Sequence, residues 1–132
     1  MLPVGAAMRA SLLQRGKPLI LVVEDDPAQL RLLKEILERA GFGVLTATNA
    51  AEALESFKRT AVTLVIADHI LGGKTWSELA AEIKALSPAM PIVLHSAYPP
   101  KVLRHIDVFI RKGEPAREFI AIIRDVVARF AV

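Results

Sequence analysis

From Pro18 onward the chain alternates short aliphatic runs with stretches whose apolar residues recur every three or four positions. The run "PLILVV" is apolar on both faces, which predicts a buried strand of a parallel sheet. A helix follows: Asp26 suits the cap, Pro27 the first turn, Leu30, Leu33, Leu37 and Ala40 one face, and Gly41 the end. "GVLTAT" predicts a second strand, and Asn49 with Glu52 three residues on forms a capping-box pattern before a helix through Ala53, Leu54 and Phe57. "VTLVIAD" predicts the third strand. Thr75 and Glu78 open another helix in the same way, with Leu79, Ile83 and Leu86 inward and Ser87-Pro88 as its stop. "MPIVLHS" and "VFIRK" predict strands four and five, and Pro115 starts a last helix whose Phe119, Ile120, Ile123, Val126 and Val127 face the core.

The crossover between strands four and five is short. Only 11 residues separate Ser96 from Val108, two of them Pro99 and Pro100, so the fourth of five helices is expected to shrink to one or two turns within "KVLRH". Five strands each followed by a helix imply an α/β fold, a doubly wound parallel sheet with helices on both faces. Sites in such sheets lie beyond the carboxyl ends of the strands. Strand one ends in Glu24, Asp25 and Asp26, strand three in Asp68, strand four in Ser96 and strand five in Lys112, so charged and hydroxyl groups converge on one edge.

Composition narrows the picture. A length of 132 residues fits one domain. The absence of cysteine excludes disulfides, thiolate metal sites and a cysteine nucleophile, and is compatible with a reducing cytoplasm. No apolar run approaches the ~20 residues that cross a bilayer, so a soluble, cytoplasmic protein with no membrane partner is expected. The net charge of +3 traces to Arg9, Arg15 and Lys17, before Pro18, while the other 14 basic residues balance the 14 acids. An excess confined to a short arm is a poor footprint for nucleic acid, which is not expected as a partner. Residues 1–17 lack the order of a signal peptide and are expected to form a flexible extension, with Met8 an alternative start and residues 18–132 the domain.

Two other readings of the motifs fail. "GGKTW" contains the Gly-Lys-Thr of a nucleotide-binding loop, but the glycine required five residues before Gly73 is Asp68, whose charge would repel phosphates. His69, His95 and His105 show no metal-ligand spacing, so core or surface roles are expected of them.

"ILVVEDDP", "LVIAD", "PIVLHSA" and "VFIRKGEP", in this order at strand ends, resemble the receiver domain of two-component response regulators, over residues from about Pro18 to Val127. The resemblance implies the flavodoxin-like five-stranded order 2-1-3-4-5. It also explains the gathered acids, since two carboxylates near a third repel by ~4 kcal/mol per pair at ~4 Å and an effective dielectric of ~20. Such a cluster favours a divalent cation. Magnesium suits an all-oxygen set of Asp25, Asp68, the Ile70 backbone carbonyl and, through water, Glu24, with Asp25 and Asp68 implied as the direct ligands. Asp26 is read as a cap alone. The resemblance makes Asp68 the phosphoacceptor, with Lys112 giving a positive charge to one phosphoryl oxygen and Ser96 a hydrogen bond to another.

The implied protein is a stand-alone receiver, a signalling phosphoacceptor rather than an enzyme. It would take phosphate from a sensor histidine kinase or histidine phosphotransfer protein and signal by binding a downstream protein, with homodimerisation as an option. The alternative is a receiver-like interaction module independent of phosphorylation. Three departures from the family pattern motivate it: Gly72 replaces a proline, Trp76 replaces a glycine, and Lys112-Gly113 replaces Lys-Pro. An aspartyl phosphatase is disfavoured because Ile70 stands where a second aspartate would act as acid/base. Ile70 and Tyr98, both bulky, are expected to keep water from an acyl phosphate and slow its loss.

Overall fold

The computed structural model describes residues 17–68, 75–101 and 104–130. Five strands, β1 (Leu19–Val23), β2 (Gly43–Ala47), β3 (Leu64–Asp68), β4 (Ile92–Ser96) and β5 (Val108–Arg111), form one parallel sheet in the order β2-β1-β3-β4-β5. Four helices among the described residues, α1 (Pro27–Arg39), α2 (Ala50–Arg59), α3 (Trp76–Leu86) and α4 (Ala116–Phe130), cover its two faces. The flavodoxin-like order is the one that the resemblance implies.

Alternation along the strands builds two cores. Leu21, Val23, Val65, Ala67, Ile92 and Leu94 point to one face and pack with Ala53 of α2 and Leu79 and Ile83 of α3. Ile20, Val22, Leu64, Ile66, Val93 and Ile110 point to the other, against Leu33 and Leu37 of α1 and Phe119, Ile123 and Val126 of α4. Both faces of the inner strands are thus dry, which is why they read as unbroken aliphatic runs. Each fully enclosed side chain, Leu37 or Ile123 for example, contributes ~1.5–3 kcal/mol by leaving water.

The helix ends follow local chemistry. Asp26 accepts from the Ala28 amide at 3.0 Å, and Pro27 opens α1. At the other end Gly41 sits at φ +99, its amide donating to Glu38 O and that of Phe42 to Leu37 O, both at 3.0 Å, which is a Schellman closure. Thr75 and Glu78 make the reciprocal capping box at the start of α3.

Three expectations need correction. Leu86 is 54% exposed rather than inward, being the last residue of α3, where Trp76, Leu79, Ala80 and Ile83 form the buried face. Asn49 caps α2 through the Glu52 amide, but the Glu52 carboxylate turns to the amide and hydroxyl of Thr48, at 2.8 and 2.9 Å, instead of closing the box on Asn49. Between β4 and β5, the described residues of "KVLRH" form a bend and turns, with His105 at φ 66; Val102 and Leu103 lie outside the described residues. The positive φ of His105 is incompatible with helical continuation at that point. Residues 1–16 also lie outside the described residues.

Candidate functional site

The parallel register carries the ends of four strands to one place. Val23 is level with Ala67, so Glu24 emerges beside Asp68. Asp68 is level with His95, which sets Ser96 one residue further on. Ser96 is level with Arg111, and the Lys112 amide donates to Ser96 O at 2.8 Å. A one-residue slip in any pair would turn these side chains to the opposite face.

Glu24, Asp25 and Asp68 each offer a carboxylate oxygen within 4.8 Å of the other two. The Lys112 ammonium lies 3.0 Å from Glu24 Oε1 and 3.0 Å from Asp68 Oδ1. Glu24, expected to act through solvent, is 1% exposed and the most enclosed of the three; its Oε2 accepts from the Asp26 amide at 3.1 Å. Asp25 is exposed and Asp68 is 9% exposed, so the cluster is open on the Asp25 side. Ser96 is buried, and its Oγ accepts from the Tyr98 amide at 3.4 Å, leaving its hydroxyl hydrogen to be given elsewhere. Ile70 lies outside the described residues.

The electrostatics follow from this enclosure. Burial pushes Glu24 above the usual carboxylate range, with the Asp68 charge adding to it, against the Asp26 amide and Lys112, which favour the ionised form. Burial pulls Lys112 down, but hydrogen bonds and attraction to Glu24 and Asp68 outweigh it and hold the ammonium above its usual range. The donor set is entirely oxygen, and among the described residues Lys112 offsets part of its charge, so the residues fit a hard divalent ion.

His95 is a residue that sequence reasoning leaves aside. It is buried, its ring centroid is 5.2 Å from that of Phe119, and its Nδ1 has no hydrogen-bond partner among the described residues. Burial first, and then the charge of Lys112, lower its pKa to about 4, with Asp68 opposing. Period-two alternation in "IVLHS" is the available signal, since it sets His95 on the face opposite Ser96. Trp76, noted in the sequence as a departure, is buried in the α2–α3 core. Phe109 is partly buried against the same core. Tyr98, expected with Ile70 to keep water from an acyl phosphate, is 76% exposed.

The profile of the response regulator receiver domain matches residues 20–122, and the chain belongs to that family. The transcriptional regulatory protein GlrR of Escherichia coli K12 is 38% identical over 79 residues, 60% of this chain and 18% of GlrR. The chain thus spans about a fifth of the length of that relative. A CheY-like receiver domain protein from Methanospirillum hungatei superposes with a TM-score of 0.83 at 26% identity, covering 88% of this chain and 98% of that one. The response regulator TrrA from Thermotoga maritima, in complex with Mg(2+)-BeF, gives 0.75 at 32% identity, covering 82% and 97%. No described helix is long and apolar enough to cross a membrane.

Proposed function

We propose that this receiver domain accepts a phosphoryl group on Asp68 from a phosphohistidine and passes the signal on by protein–protein interaction. One observation carries the reading: the Glu24, Asp25 and Asp68 oxygens within 4.8 Å of one another, with Lys112 3.0 Å from Asp68. An Asp68 oxygen attacks phosphorus and the P–N bond breaks. The electron pair of that bond returns to the imidazole, which leaves neutral when the other ring nitrogen of the phosphohistidine already carries a proton. Lys112 would trade its contact with the carboxylate for one with a phosphoryl oxygen, and Ser96 would donate its hydroxyl hydrogen to another. Asp25 and Asp68, with the Ile70 carbonyl and Glu24 behind them, would hold Mg2+, which supplies charge neutralisation for the transferring group.

The donor is a histidine kinase or histidine phosphotransfer protein in the cytoplasm. The TrrA complex supports this reading, because that protein holds magnesium together with a fluoroberyllate group. The test is intact-mass measurement after incubation with acetyl phosphate and Mg2+. One phosphoryl group is expected on the wild type, none on Asp68→Asn, and none on the wild type in EDTA. An unmodified wild type would favour the phosphorylation-independent module.

A further inference from the structure

The seam between α1 and α4 carries a groove of about 490 Å³. Ile36, Ala40 and Ile120 give it an apolar floor; Arg39, Arg117 and Arg124 stand along its lining, which contains no acidic residue among the described residues. The three guanidiniums are in different states. Arg39 is paired with Glu35 at 2.6 Å on the exposed flank of α1. Arg124 donates from Nη2 to the Ala40 carbonyl at 3.1 Å, a contact that fixes its position without cancelling its charge. Arg117 is exposed and has no ion pair among the described residues. Two uncompensated cations therefore flank an apolar trough between two helices.

We infer that this groove is a docking site for an acidic amphipathic helix of a partner protein. Apolar side chains spaced three and four residues apart would lie on Ile36, Ala40 and Ile120, while carboxylates on their flanks meet Arg117 and Arg124. Charge decides against the other occupants. A second copy meeting this face across a two-fold axis would bring guanidiniums against guanidiniums. A nucleic acid needs a continuous basic stripe, whereas Glu118 and Asp125 interrupt the arginines along α4 and the groove floor is apolar. The inference does not depend on phosphorylation of Asp68, whose acids come from the strand ends.

The probe is a blocked helical peptide with leucines on one face and flanking glutamates, titrated into the full-length 15N-labelled chain. Its counterpart has lysine for each glutamate. Amide shifts are expected at Ile36, Ala40 and Ile120 with the glutamate peptide alone. Arg117→Glu, at an exposed residue with no ion pair among the described residues, should weaken binding at least tenfold, and Arg117→Lys should retain most of it. Phosphorylation of Asp68 in Arg117→Glu reports separately that the fold and the acidic pocket persist. Equal shifts with the lysine peptide, shifts reproduced by inorganic phosphate, shifts that track protein concentration alone, or no shifts at all would each overturn the inference.

Discussion

Lys112 sets its ammonium 3.0 Å from both Glu24 and Asp68, holding together charges that would otherwise repel. Removing it leaves the enclosed Glu24 carboxylate without its partner, and the cost is the desolvation of that charge rather than the loss of one contact. Lys112→Met is expected to destabilise the fold by ~2 kcal/mol at neutral pH in EDTA, less than the ~3–5 of a fully buried pair. Millimolar Mg2+ should return part of the loss. Urea denaturation with and without the cation checks both, and an unchanged midpoint would show that the acids do not need the lysine. His95 makes a prediction of opposite dependence on its charge. Its folded pKa is about 4 against an ordinary 6.5, so the unfolded chain binds the extra proton between those values. The stability contributed by the neutral ring is whole above 6.5 and is lost as pH falls toward 4, by a total on the order of 3 kcal/mol. His95→Leu removes both the titration and the unpartnered Nδ1. It should flatten the stability profile across that window and leave the variant the more stable at pH 5.

Elements report how much of this is legible in the sequence. Strand ends are, because a parallel sheet turns position at the end of an aliphatic run into position in space: Glu24, Asp68, Ser96 and Lys112 need only the register to meet. Capping is legible where donor and acceptor are near neighbours, as at Asp26 and Thr75. What escapes is any choice made between partners. Glu52 has two backbone amides in reach and takes Thr48, and the burial of Leu86 depends on which residues of α3 form its buried face. The fastening of β5 escapes for the same reason. Asp107 Oδ2 accepts from the Ile92 amide and from Lys84, each at 2.8 Å, and Lys84 also donates to Met90 O at 2.7 Å. This clamp ties α3, β4 and the four-residue edge strand β5, where the described residues of the crossover form bends and turns without a helix. Asp107→Ala is expected to cost ~2 kcal/mol, because it strands the Ile92 amide and leaves Lys84 without its counter-charge, held by Met90 O alone. Hydrogen exchange should quicken at Val108–Ile110 before it does in β1 or β3; uniform exchange across the sheet would argue against a local fastening.

At the scale of the whole molecule, the acidic cluster exists only while the sheet does. Glu24 and Asp25 belong to the turn after β1, Asp68 to the end of β3, and 43 sequence positions separate Asp25 from Asp68. An unfolded chain has no reason to hold them within 4.8 Å, so a divalent cation that binds them binds the native state alone. Such binding raises unfolding free energy by RT ln(1 + [L]/Kd), which is ~1.4 kcal/mol at ten times the dissociation constant. For a domain of this size that corresponds to a rise in Tm of ~3–8 °C. The rise should be logarithmic in Mg2+ concentration, vanish in EDTA, and be lost in Asp25→Asn and Asp68→Asn. Sodium chloride at matched ionic strength separates site binding from general screening, which acts weakly on an enclosed cluster. Equal stabilisation by the two salts would mean that the carboxylates share only a field and not an ion, whereas a Mg2+-specific rise abolished at either aspartate would place the ion between β1 and β3.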